Sequence, residues 1–267
     1  MSKLSLSRAW EETTAVLARD GRLFLAVALA LFVLPGLILN VTMPVAHAGE
    51  FPPAGSWMAI AFVALLVSLV GQMAVIRLAI GPHVSVGEAI MHGLRRVLAY
   101  IAAALLWLVP ILLIGSALYA YLQANQSKPS IAASLALIVL CVLFAFIAVR
   151  LMLSSAVASA EPIGPIAILR RSWELSKGNW WRLFVFLLLF GIGALCLLWA
   201  VDSVAGLLIR MIVEDSGPRS LGGLLISIVS QLVSGLLSVV LFVMLARIYV
   251  QRSEVGAAEP SVPKSGI

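Results

Sequence analysis

Residues 131–160 read IAASLALIVLCVLFAFIAVRLMLSSAVASA, an apolar run broken by a single charge, Arg150. A helix that crosses the ~30 Å hydrocarbon layer of a bilayer needs about 20 consecutive, mostly apolar residues. This run supplies them. It shows no polar–apolar alternation, so it does not read as a barrel strand. In lipid its backbone N–H and C=O groups must be satisfied within one segment, which means a helix. Working outward, five more runs have the same character. The six predicted spans are Leu23–Ala46, Trp57–Ile80, Leu98–Leu122, Ile131–Ala160, Leu183–Val201 and Leu221–Val250.

The whole chain agrees with its parts. Its 267 residues are 62% hydrophobic and 11% charged, against roughly 45–50% and 25% in a soluble domain. That balance excludes a soluble enzyme, a disordered chain and a nucleic-acid-binding protein. The net charge of +6 is explained by where the cations sit. Cys141 and Cys196 both lie in apolar runs and give neither a disulfide framework nor a metal-ligand spacing.

Lys and Arg fall on alternate connections. Lys3, Arg8, Arg19 and Arg22 precede the first span, Arg95 and Arg96 follow the second, and Arg170, Arg171, Lys177 and Arg182 follow the fourth. The loop from His47 to Ser56 has none, the loop after the third span has only Lys128, and the connection after the fifth and its approach have Arg210 and Arg219, while Arg252 and Lys264 sit in the tail. The positive-inside rule then predicts cytoplasmic N- and C-termini. The first span is longer than a signal-peptide core and is preceded by Glu11, Glu12 and Asp20, so it reads as an uncleaved helix. Residues 253–267, rich in Pro, Ser, Gly and Ala, are expected to be a disordered tail behind a six-span domain over 1–252.

An internal repeat is expected within that domain, with units of about 1–80, 81–160 and 161–252. Each opens with a mixed-polarity cytoplasmic stretch in which a small residue precedes an apolar anchor: Ala9–Trp10, Ala89–Ile90 and Ser172–Trp173. Each continues into a two-span hairpin. Pro35, Pro110 and the Gly191/Gly193 pair sit mid-span in the odd helices, where such residues loosen the ladder. Arg77, Arg150 and Arg247 sit near the cytoplasmic ends of the even helices. The predicted fold is therefore an all-α polytopic membrane helix bundle: six transmembrane helices in three pseudo-repeated hairpins, with cytoplasmic amphipathic helices, about a pseudo-threefold axis.

Three constellations could carry function. A cation below the headgroups must be paired, snorkel or meet water. Arg77, Arg150 and Arg247 read either as a cluster holding a lipid phosphate or other anion through forked hydrogen bonds, or as partners of Glu11, Glu88, Glu161 and Glu174. On the sixth span Gly223, Ser227, Ser230, Ser234 and Ser238 recur every three or four residues on one face, with Gln231 beside them and Gln72 on the second span. This polar face either lines a solvated path or serves close packing through small residues. Trp10, Trp173, Trp180 and Trp181, with Arg170 and Arg171, suit a membrane interface. Residues 202–213 read as a separate interfacial helix, and Asp202 as its cap. His47, His83 and His92 lack a ligand cluster, and no HExxH, phosphate-cradling glycine loop or Gly-x-Ser-x-Gly is present. No catalytic residue, metal or cofactor is expected.

The segment Ala167-Ile-Leu-Arg-Arg-Ser-Trp-Glu-Leu-Ser-Lys-Gly-Asn-Trp-Trp-Arg-Leu-Phe resembles the bacterial glycerophosphoryl diester phosphodiesterase membrane-domain family and related uncharacterised six-span inner-membrane proteins. The matching positions are Ser172, Trp173, Gly178, Trp180 and Trp181. The catalytic barrel of some members has no counterpart here. The resemblance implies an envelope or lipid-related role in a bacterial inner membrane. The function expected is a non-catalytic inner-membrane protein that binds membrane lipids or a membrane protein partner through the arginine cluster. The alternative is a transporter of a small or amphiphilic solute through the bundle.

Overall fold

A computed structural model describes residues 5–44, 52–81, 84–124, 131–212 and 220–258. Those residues form helices joined by turns and short irregular stretches: α1 (Leu6–Ala28), a π-turn (Leu29–Val33), α2 (Leu34–Thr42), α3 (Trp57–Ile80), α4 (Val86–Ala124), α5 (Ile131–Leu151), α6 (Ser154–Ala160), α7 (Pro165–Ser176), α8 (Trp180–Ile212) and α9 (Leu221–Ala258). They supply six stretches long and apolar enough to cross a membrane. The chain is an all-α bundle and an integral membrane protein.

Local chemistry places the breaks. Ser5 caps α1, its Oγ accepting from the Arg8 N–H at 3.3 Å. Asp20 leaves helical geometry at φ −115°, ψ 16° and separates an amphipathic segment from the first span. Pro35 has no N–H and crowds the carbonyl four residues back. The helix answers with the π-turn just before it, a common way to accommodate such an insult. Pro110 lies inside the unbroken α4.

The predicted span 131–160 stands as one stretch of membrane-crossing length, with a turn at Met152 and Leu153 beyond which α6 is buried in the core. Two expectations are corrected. The 202–213 segment is not a separate helix, because α8 runs on through Asp202 to Ile212. The tail does not begin disordered at Ser253. Helix α9 continues to Ala258, since Ala257 and Ala258 favour the helix they extend. Residues 259–267 lie outside the described residues.

The core sits at one end of the bundle, the end that carries the arginines. Met73, Ile76, Leu153, Val157, Val243 and Ile248 have no accessible surface there. They come from α3, from α6 and the turn that leads into it, and from α9, and these three helices touch pairwise. Toward the other end, side chains such as Leu113, Val139, Leu195 and Trp199 remain exposed, the state of helices facing lipid. This division follows from the solvent. Between helices in hydrocarbon there is no hydrophobic drive, whereas segments at the water boundary gain by burying apolar surface.

Each amphipathic segment enters that core through two small residues one turn apart: Ala9 and Thr13, Ala89 and Gly93, Ser172 and Ser176, all buried. The Thr13 hydroxyl meets the Met244 Sδ of α9 at 3.5 Å. A Cβ on Gly93 would fall 2.8 Å from the Val70 carbonyl oxygen of α3. The Ser172 hydroxyl donates to the Arg150 carbonyl at the end of α5, at 3.1 Å. Each segment thus docks on an even-numbered span that precedes it around the bundle, with the first docking on the last.

Candidate functional site

The arginine-rich end is built by helix termini. The last carbonyls of a helix lack intrahelical partners, and a cation placed there also meets the negative end of the helix dipole. Three arginines answer this need. Arg96 of α4 donates to the carbonyls of Ala158, Glu161 and Ile163 at 3.0, 2.6 and 2.9 Å, which closes α6. Arg247 Nη2 donates to the Ala79 carbonyl at the end of α3 at 2.5 Å. Arg252 donates to Leu175 and Lys177 carbonyls at 3.0 and 3.4 Å, closing α7. His92 Nε2 adds a bond to the Ser159 carbonyl at 2.7 Å. Sequence reasoning took Arg96 and Arg252 as topology markers only. Nothing in their spacing indicated which carbonyls they would reach.

Three of the four candidate carboxylates, Glu88, Glu161 and Glu174, are already committed. Glu161 lies 3.3 Å from Arg171 and accepts from the Tyr249 hydroxyl at 2.8 Å. Glu174 pairs with Arg170 at 3.3 Å and with Arg171 at 3.8 Å. Glu88 accepts from the Ser85 N–H at 3.0 Å in a capping box. Among the described residues, Arg77, Arg150 and Arg247 form no ion pair with a carboxylate. The pairing reading of those three is therefore not what the fold uses.

Their surroundings differ. Arg150, half-buried, lies 5.4 Å from the Phe146 ring and 5.0 Å from the Trp173 ring. Cation–π contacts of this kind, when desolvated, are worth about 2 kcal/mol. They leave its buried Nε and Nη1 without a hydrogen-bond acceptor. Arg247 spends Nη2 on α3 while its buried Nε has no acceptor. Arg77 sits two residues before Ala79 on the same last turn of α3. Helix contact therefore joins Arg77 and Arg247. Arg150 stands in its aromatic setting on α5 and α7, and among the described residues no hydrogen bond or ring contact links it to the other two.

The motif around Ser172 now has a physical role at each position. Ser172 locks α7 to α5, and Trp173 flanks Arg150. Gly178 has φ 75°, a left-handed turn that favours glycine and lets α8 start at Trp180. Trp180 donates Nε1–H to the Phe146 carbonyl at 3.3 Å and stacks on Phe184 at 5.2 Å. Trp181 is 64% exposed, and Trp10 is 52% exposed, as interfacial anchors require. Arg170 points outward with Glu174.

The polar face lies elsewhere, between α2, α3 and α9. Gln72, Gln231, Ser234 and Ser238, with Ser68, line a cavity of about 400 Å³. The Ser238 hydroxyl donates to the Ser234 carbonyl at 2.8 Å. Ser227 donates to Asn40 Oδ1 at 3.0 Å, and Ser230 is half-buried on the same helix. Close packing and cavity coexist: a Cβ on Gly235 would meet Val33 at 2.8 Å, and one on Gly36 would meet Gln231 Oε1 at 2.6 Å.

Comparison with known proteins adds a family and nothing more specific. Residues 4–252 match a family described as a domain of unknown function (DUF7847). No curated protein and no solved structure matches the chain.

Proposed function

The chain belongs to the DUF7847 family of unknown function, and we propose that this member is a non-catalytic integral membrane protein whose arginine-rich end binds the phosphate of an anionic lipid. The observation that carries this reading is the lack of any carboxylate partner for Arg150 and Arg247 among the described residues, both of them only partly buried. A partly buried cation without a counter-charge is costly, and a lipid phosphate offers several acceptor oxygens in the geometry that guanidinium groups favour. Exposed Trp181 and Trp10 fit the headgroup layer beside it.

The finer parts of the proposal follow from the same grounds. The arginine-rich end faces the cytoplasm of a bacterial inner membrane, by the charge bias and the resemblance of the segment at 167–184. The cyclic docking of the three amphipathic segments supports a threefold internal repeat. A transporter is the second reading. A solute path through the centre, where α3, α6 and α9 meet, draws no support from side chains as tightly buried as Met73, Leu153 and Val243, and this favours binding.

Native mass spectrometry of the purified protein tests the proposal. Wild type is expected to retain phosphatidylglycerol in preference to phosphatidylcholine, and an Arg150→Gln, Arg247→Gln double variant is expected to lose it. Equal retention by a folded variant would overturn the reading.

A further inference from the structure

We propose that the groove between the amphipathic part of α1 and the first turns of α8 is a second lipid site. It selects a phospholipid with a primary ammonium headgroup, phosphatidylethanolamine, through the carboxylate of Glu11. Among the described residues no Lys, Arg or His lines this groove, so it stands apart from the phosphate site at Arg150 and Arg247 and goes beyond it.

The walls fix where the groove lies. Ser7, Trp10 and Glu11 line it from α1, at spacings of three and four residues that share one helix face. Val185, Phe186, Leu189 and Phe190 line it from α8. They follow the exposed Trp181 by four to nine residues, about 6–14 Å further along the helix, so this wall stands in hydrocarbon. The floor is Met244 of α9, 2% exposed, whose sulfur meets the Thr13 hydroxyl. Helices α1 and α8 each pack on α9, and the groove is the space of about 530 Å³ left between them. That is within the range of small-ligand sites.

Depth decides the tail of the occupant, and the rim decides its head. An apolar wall at this depth meets acyl chains, and Leu189 is exposed on it. At the rim the single charge is Glu11. Of the four carboxylates that the sequence offered to the arginines, it is the one left over. Among the described residues it forms no ion pair, while its neighbour Glu12 is held by Arg8 at 2.8 Å. An anionic headgroup is repelled by such a group. A choline is attracted but has no N–H to give. A primary ammonium has three donors; it can donate to Glu11 and also meet the exposed Trp10 ring, whose face attracts cations. Ser7 adds a hydroxyl donor for the phosphate that joins head to chains. A basic helix of a partner protein would answer the charge as well, but three turns of helix fill on the order of 1,000 Å³, more than this groove holds.

The test titrates the purified full chain in detergent with phosphatidylethanolamine or phosphatidylcholine of matched chains and reads bound lipid by native mass spectrometry. Wild type is expected to bind phosphatidylethanolamine about two- to fivefold more tightly, the scale of an exposed ion pair. Glu11→Gln keeps the shape of the rim and is expected to bind the two lipids equally. Glu12→Gln, one residue away and outside the groove, is expected to keep the preference. Leu189→Trp fills the groove from an exposed position and is expected to weaken both lipids. Melting curves in lipid-free detergent are expected to match wild type for all three variants. No preference in wild type, a preference that survives Glu11→Gln or is lost with Glu12→Gln, or unchanged binding by Leu189→Trp would each overturn the site. So would a bound polypeptide or second chain that Glu11→Gln releases, which would assign the groove to protein docking. The Arg150→Gln, Arg247→Gln double variant is expected to lose phosphatidylglycerol and keep the phosphatidylethanolamine preference, so the two sites can fail independently.

Discussion

Ser172, with no exposed surface, donates its hydroxyl to the main-chain oxygen of Arg150 at 3.1 Å. That bond satisfies a carbonyl near the end of α5 and brings Trp173 against the Arg150 guanidinium. The hydroxyl that pins α7 thereby sets the environment of the most exceptional cation in the chain. Ser172→Ala keeps the volume close and removes the bond. It is expected to lower stability by about 1 kcal/mol and to weaken phosphatidylglycerol retention, read by unfolding in detergent and by native mass spectrometry.

Arg150→Met separates binding from stability. It removes a buried charge lacking acceptors and leaves an apolar chain against Phe146 and Trp173. In lipid-free detergent the variant is expected to be as stable as wild type or more so, as when buried charges are replaced by hydrophobes. Added phosphatidylglycerol at a hundred times its Kd is expected to stabilise wild type by about 2.7 kcal/mol and the variant not at all. A fluorescence-detected melting curve checks both.

Gly93→Ala tests the docking of the second amphipathic segment. Its new Cβ would press on the Val70 carbonyl at 2.8 Å and on Met73 Cβ at 3.2 Å, and backbone cannot swing aside. A loss of about 1–3 kcal/mol is expected, as for other overpacked sites. Gly87→Ala on the same helix meets open space and is expected to be neutral or stabilising.

Gly178→Ala is expected to destabilise by about 1–2 kcal/mol, because φ 75° forces an L side chain into the left-handed region. Gly164→Ala is the control: φ is −77° and nothing lies within 4 Å. Melting temperatures of the two variants, compared in one detergent, decide it.

Arg96→Gln removes a cation that holds three carbonyls at and beyond the end of α6. A loss of about 1.5–3 kcal/mol is expected, the usual scale for hydrogen bonds to charged groups. Faster hydrogen exchange confined to residues 154–163 would locate the effect.

The spans were legible because bilayer thickness imposes a length that hydropathy reports directly. The docking faces were partly legible. Ala9, Ala89 and Ser172 stand out as small residues before larger anchors, and each is buried. What escaped the sequence was tertiary. The turn at Met152–Leu153 carries no Pro or Gly to announce it, since α6 is pulled aside by burial against α3, α4 and α7. Asp202 suggested a helix start, yet an acidic side chain at an exposed position does not stop a helix already propagating. The caps formed by Arg96 and Arg252 depend on where distant carbonyls end up, which no local pattern encodes. For the same reason the arginine trio, each near the end of an even-numbered span, occupies different chemical settings.

The π-turn at Leu29–Val33 sets the rotational phase of everything after it in the first span. One residue in excess of regular winding turns the remaining helix by about 100°. It is this offset that points the bare Cα of Gly36 at the Gln231 amide. Regular winding of the same residues would swing Gly36 aside and turn a neighbouring side chain into the space beside Gln231, whereas a single-residue deletion at Leu29 or Ala30 would remove the excess residue and leave Gly36 at its present phase.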